Sequence, residues 1–214
     1  MSHPEAMGVG TPTPPLEFTP DHYVQYLSAK AVEADKLATL DPLTGLLNRR
    51  GLGLAYTKMV QSPDLRGEGD DWLLLVDMDN FKELNSRLSH SGGDKALVET
   101  AGVMRGVMRP QDAIGRWGGD EFAVLVDRVS QIDAIDIATR IKEGVSKVDM
   151  AHKLTVSIGV TAVNKELSFG EVIGQASSHL NEAKRQGKDR VFHIGSLALQ
   201  AEQSPLGPTS RELF

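Results

Sequence analysis

An α/β fold is what this sequence predicts: a central mixed sheet of five strands flanked by helices, with one further helix ahead of it. Three observations carry that expectation. Short apolar runs of strand length alternate with longer segments of helical period, the pattern of helices layered on a sheet. The run Trp72-Leu73-Leu74-Leu75-Val76 is apolar without interruption, as a strand buried on both faces must be. Two further short runs meet at Gly118-Gly119, a hairpin signal whose turn is expected to use positive φ.

The elements follow in order. Residues 1–20 hold five of the ten prolines and no apolar period, so they read as a disordered tail that buries too little to offset its ordering. Tyr23, Leu27, Ala31, Ala34 and Ala38 recur at helical spacing, which predicts a linker helix over 21–40. It packs either on its own domain or on a second copy, and about two heptads are too short to define a coiled coil. The domain proper is expected over 41–197. It contains helices over 49–59, from Phe81, and over 95–108, then strands over 113–117 and 121–126. A helix over 132–148, a strand over 154–163, a helix over 169–185 and a strand over 191–194 complete it. Residues 198–214, with Pro, Gly and Ser, read as a flexible tail.

Bulk composition narrows the function. The 214 residues are 40% hydrophobic and 24% charged, enough for one packed core. A net charge of −6 argues against coating a nucleic-acid polymer, although an acidic protein still binds single nucleotides. No cysteine is present, so thiolate metal sites are excluded. No apolar run approaches a membrane span and the first residues do not resemble a secretory signal. A soluble, cytoplasmic protein is the expectation.

Chemistry gathers around three acids. Asp77 ends the buried strand, and Asp120-Glu121 follow the glycine pair. Converging carboxylates repel one another unless a cation intervenes, and magnesium takes a few carboxylates together with phosphate oxygens. That set suits phosphoryl or nucleotidyl transfer. Taken singly, each acid is equally well a solvated turn residue; together with the glycines they point to a site. Asn80-Phe81-Lys82 opens a helix directly after Asp77, where free amides and a lysine attract an anion.

The run Arg116-Trp117-Gly118-Gly119-Asp120-Glu121-Phe122 contains the GGDEF signature and resembles that of diguanylate cyclases. Three further blocks resemble the same family in the same order: DPLTGLLNRR from Asp41, VDMDNFKELNSRLSHSGGD ending at Asp94, and AKRQGKDR from Ala183. The resemblance implies a sheet like that of nucleotidyl cyclases and polymerase palms, and an enzyme that joins two GTP into cyclic di-GMP with release of pyrophosphate. It implies magnesium, or manganese, on Asp77, the Met78 carbonyl, Asp120 and Glu121, with Glu121 also at the attacking 3′-hydroxyl. Asp77, Asp120 and Glu121 are thus the catalytic candidates. Phe81, Lys82, Lys184 and Lys188 fall where the triphosphate is held, and Asn85 and Asp94 where guanine is read. A carboxylate can accept from guanine N1–H and N2–H together, a donor pair adenine lacks. Arg109 and Asp112 match an RxxD product-inhibition site, the aspartate orienting an arginine that grips cyclic di-GMP. Two equivalent bonds imply a homodimer.

Some positions depart from the family pattern. Ser86, Ser89, Lys188, Ser177 and Asn181 replace more usual residues, and Lys188 keeps a charge but loses the planar fork of arginine. His90 is expected to be a structural loop residue. A competing reading from another class is a receptor that binds cyclic di-GMP or GTP without catalysis, for which loss of the signature acids would be expected.

Overall fold

The computed structural model describes residues 19–62 and 69–193. The expected tails lie outside that range, except that Pro20 already opens a helix. The strand expected to end at Ile194 is likewise described only through Phe192. The chain divides into two compact units, Met1–Leu37 and Ala38–Phe214. The first unit carries most of α1 (Pro20–Thr39), on which Tyr23, Val24, Leu27 and Val32 are exposed. Among the described residues no helix is long and apolar enough to cross a membrane.

The second unit contains α2 (Arg49–Gln61), β1 (Asp70–Met78), α3 (Phe81–Val107), β2 (Ala113–Gly118) and β3 (Glu121–Val129). It continues through α4 (Gln131–Ser146), β4 (Val156–Ala162), α5 (Phe169–Arg185) and β5 (Val191–Phe192). The strands form one five-stranded sheet in the order β2-β3-β1-β4-β5. All neighbours are antiparallel except β4 and β5, so the sheet is mixed as expected.

Alternation along β1 explains its unbroken apolar run. Trp72, Leu74, Val76 and Met78 face one core with Leu97 and Met104 of α3 and Ile137 and Ile141 of α4. Leu73 and Leu75 face a second core with Leu52 of α2 and Val172, Ala176 and Leu180 of α5. Period-two side chains and helices on both sides leave no solvent face.

Three local expectations are corrected. The helices expected from Phe81 and from Lys95 are one element, broken only where Ser89 takes φ 65° and ψ 173°. His90 follows that break, exposed, rather than lying in a loop. The hairpin is present, with Gly118 paired to Glu121, but neither Gly118 nor Gly119 adopts a positive φ. A register shift between Arg116 and Gly118 accommodates the turn instead.

Candidate active site

Strand parity sets the first two acids. In the β1–β3 ladder Asp77 is paired directly with Glu121, so their side chains leave the same face of the sheet. Both share the odd-numbered face with Leu73, Leu75, Ala123 and Leu125, the face covered by α5. Lys184, in the last turn of α5, meets Asp77 there with its Nζ 2.7 Å from Oδ2. Asp120 sits in the turn between β2 and β3, and its carbonyl accepts the Met78 amide at 3.2 Å. Met78 points its side chain into the opposite core, so only its backbone faces the site.

Electrostatics at Asp77 are unfavourable. Burial pushes its carboxyl above the usual carboxylate range, and the nearby charges of Asp120 and Glu121 push it further. The hydrogen bond and charge of Lys184 oppose both. An ionised carboxylate in that position needs a cation beside it.

Beyond β1 the chain turns through Asn80, a left-handed residue at φ 58° that makes no side-chain cap on α3. Its Oδ1 instead receives the Lys188 ammonium at 2.5 Å. The first amides of α3, at Phe81 and Lys82, therefore lack the usual side-chain acceptor. Asp77, Met78, Phe81, Lys82, Asp120, Lys184 and Lys188 border one cavity of about 300 Å³. Seven of the expected site residues thus come together.

Glu121, paired with Asp77, does not itself line that cavity, and the other four candidates lie apart from it. Asn85 and Asp94 sit on either side of the Ser89 break, and Asn85 lies against Gly93, the residue before Asp94. A β-carbon at Gly93 would lie 1.8 Å from Asn85 Oδ1, so only glycine lets this amide pack where it does. Arg109 and Asp112 are at the far end of β2, which at about 3.3 Å per residue is some 20 Å from the turn. The expectation that Asp112 orients the arginine side chain is not met. Its carboxylate accepts the Arg109 amide at 2.9 Å and the Asp127 amide at 3.2 Å, and it forms no ion pair with the Arg109 guanidinium, which is exposed. Asp112 shapes the bend that presents Arg109.

Sequence reasoning missed two groups. Arg116 gives both Nε (3.0 Å) and Nη2 (2.7 Å) to the Gly119 carbonyl, and its Nη1 lies 3.3 Å from Asp41 Oδ2. Burial pushes the Asp41 carboxyl up, but hydrogen bonds from the Thr44 hydroxyl and amide and the Arg116 charge outweigh it and hold it below the ordinary value. The segment after α1 is thereby tied to the turn that carries Asp120. Asp79, the second acid of the VDMD run, is the other group. The signal for both lay in the quoted motifs, but their partners are distant in sequence.

Comparison with known proteins completes the description. Residues 38–190 match the family described as "Diguanylate cyclase, GGDEF domain". The chain is 37% identical over 154 residues to diguanylate cyclase DgcM of Escherichia coli (strain K12), covering 71% of this chain and 37% of that protein. It therefore spans well under half of that relative's length. Among solved structures, diguanylate cyclase SiaD from Pseudomonas aeruginosa, crystallised with its activator SiaC, superposes with a TM-score of 0.70 at 31% identity, over 81% of this chain and 68% of that one. The coiled coil and GGDEF domain of DgcB from Caulobacter crescentus, in complex with c-di-GMP, gives 0.72 at 26% identity, over 81% and 95%.

Proposed function

Because the chain belongs to the GGDEF, diguanylate cyclase family, we propose that it condenses two GTP into cyclic di-GMP with release of two pyrophosphates. The observation that carries the reading is the pairing of Asp77 with Glu121 beside the Asp120 turn, with Lys184 set on Asp77. Catalysis is assigned to residues 41–197, with 21–40 as a signalling helix.

The donor set fits a hard divalent cation. It offers carboxylate and carbonyl oxygens only, around an acid whose ionised form is disfavoured by burial and by its neighbours. Among the described residues no group of three acids or histidines is placed to hold a metal unaided; magnesium takes part of its ligand set from nucleotide phosphates. Asp77, Asp120, Glu121 and the Met78 carbonyl would hold magnesium or manganese, which supplies charge neutralisation at the reacting phosphates.

The protein's own groups do the rest. Lys82, Lys184, Lys188 and the first amides of α3 bind the triphosphate, and Asn85 with Asp94 selects guanine. In each half-reaction a 3′-oxygen forms a bond to the α-phosphorus of the other GTP. The bond from that phosphorus to the bridging oxygen breaks, and pyrophosphate leaves with the electron pair. The hydroxyl proton passes toward the Glu121 carboxylate. Lys184 is available to shift from Asp77 to the phosphates as the cation arrives.

Two equivalent bonds call for a two-fold pair of protomers, each bringing one GTP. The exposed Tyr23, Val24 and Leu27 of α1 offer an apolar stripe for such pairing. The exposed Arg109 guanidinium supports a product-inhibition site, its bend held by Asp112. The test is incubation of the protein with GTP and magnesium, with chromatography of the products and Glu121→Gln as control. Cyclic di-GMP from the wild type alone supports the cyclase. Its absence at every protein concentration moves the reading to a receptor that uses Arg109.

A further inference from the structure

One acid beside the cavity has no part in the scheme above. Asp79 follows Asp77 by two residues, yet its carboxylate is already saturated. Oδ1 accepts Ser157 Oγ at 2.7 Å, while Oδ2 accepts Thr155 Oγ1 at 2.8 Å and the Asp189 amide at 3.0 Å. Its own amide donates to the Thr155 carbonyl at 2.9 Å. A carboxylate so engaged is not a free metal ligand; it is a clamp that joins the end of β1 to β4 and to the loop after α5.

The clamped loop is strained. Gly187 (φ 115°) is followed by Lys188 (φ 63°) and Asp189 (φ 47°), two successive non-glycine residues in left-handed conformation. Such backbone persists only where its surroundings over-determine it, and it concentrates at functional sites. The surroundings here are specific. The Lys188 amide donates to the Ala183 carbonyl at 3.1 Å, and Lys142 and Lys153 approach the Asp189 carboxylate at 3.5 and 3.8 Å. Asp79 takes the Asp189 amide at the centre of the bend. The outcome is that the Lys188 ammonium stands over the cavity mouth, bonded to Asn80.

We propose that Asp79 is a positioning residue: by pinning the Gly187–Asp189 bend to the end of β1, it sets the Lys188 ammonium at the phosphate end of the nucleotide site. The proposal rests on the GTP reading above. Lysine has one flexible point charge where a guanidinium would offer a fork, so its placement depends more heavily on the backbone beneath it.

The test is calorimetric titration of the full chain with GTP and with GMP, both with magnesium. Asp79→Asn preserves shape but turns one amide N–H toward donors that need an acceptor. It is expected to weaken GTP about tenfold, the effect of one well-placed charge, and to leave GMP nearly unchanged. Lys188→Met should show the same selective loss, and adding Asp79→Asn to it should cost nothing more. Should Asp79→Asn not fold, Ser157→Ala, which removes one donor from the same carboxylate, must show the selective loss at smaller size. Equal weakening of GTP and GMP, or full additivity with Lys188→Met, would overturn the proposal and leave Asp79 a packing residue. A wild type that binds GTP no better than GMP would instead defeat the functional reading itself.

Discussion

Replacing Gly93 with alanine separates packing from nucleotide selection. The added β-carbon would lie 1.8 Å from Asn85 Oδ1, 2.8 Å from its Cγ and 3.2 Å from Phe81 Cζ. All three atoms belong to side chains, so rotation of Asn85 relieves the clash without moving backbone. Alanine in a helix also gains up to about 1 kcal/mol over glycine, which offsets part of the disturbance. The melting temperature should therefore change by only a few degrees. Nucleotide affinity should not survive as well. The displaced amide loses one guanine hydrogen bond, worth about 0.5–1.5 kcal/mol, or roughly two- to thirteenfold in GTP affinity. Titration calorimetry with GTP, paired with thermal melts, reads both quantities, and Asn85→Ala should reproduce the loss without adding to it. Unchanged GTP affinity in a well-folded Gly93→Ala variant would refute the placement of guanine between Asn85 and Asp94.

Three further outcomes follow from the same geometry. Asp77→Asn should abolish product formation and raise the melting temperature at neutral pH. A carboxyl pushed up by burial binds its proton more tightly when folded, so ionisation above the ordinary range of about pH 4 destabilises the native state, and the gain from asparagine should shrink as pH falls toward 4; a lower melting temperature at pH 7 would contradict this. Gly159→Ala places a β-carbon 2.3 Å from the Ala176 carbonyl and 2.5 Å from the Leu180 amide, so α5 must move off the sheet. A loss of about 1–3 kcal/mol is expected in denaturant melts, and an unshifted midpoint would show that α5 packs otherwise. Arg116→Gln removes both donors from the Gly119 carbonyl and the partner of Asp41; turnover should fall about tenfold or more, the equivalent of one charged hydrogen bond, with GTP affinity little changed. Equal loss of affinity and turnover would mean that the turn is not what Arg116 holds.

Much of this architecture was legible because each signal was local. Trp72–Val76 announced a doubly covered strand, and the observed Trp72–Met78 is buried throughout. The helix expected over 169–185 is present as α5, and Ser168 and Glu171 close its first turn with a capping box. Failures came where a tertiary contact outweighs local preference. Ser89 breaks the backbone without ending α3, because Gly93 docks on Asn85 and Phe81 across the break. The glycine pair of the hairpin was expected to supply a positive φ, and neither residue adopts one; a β-carbon at Gly118 would sit 3.2 Å from Glu121 Oε2, while one at Gly119 would meet nothing within 4 Å.

The site shows a sharper version of the same division. The acids and lysines were legible as types, but their pairings depend on how α5 docks on β4, and no local pattern encodes that. Lys184 rests on Asp77 because Gly159 lets α5 approach the sheet closely. Asp41 finds Arg116 across 75 positions of sequence. Backbone strain follows the same map. Among the described residues five non-glycines are left-handed: Asn80, Ser89, Arg128, Lys188 and Asp189. Asn80 and Lys188 line the cavity, Asp189 directly follows Lys188, and Ser89 lies between Asn85 and Asp94; only Arg128 is at the other end of β3. Asp77, buried against two like charges, belongs with them energetically. Local rules are broken where a bound anion and cation would repay the breakage, so the strained residues and the buried charge coincide with the proposed nucleotide site independently of any motif.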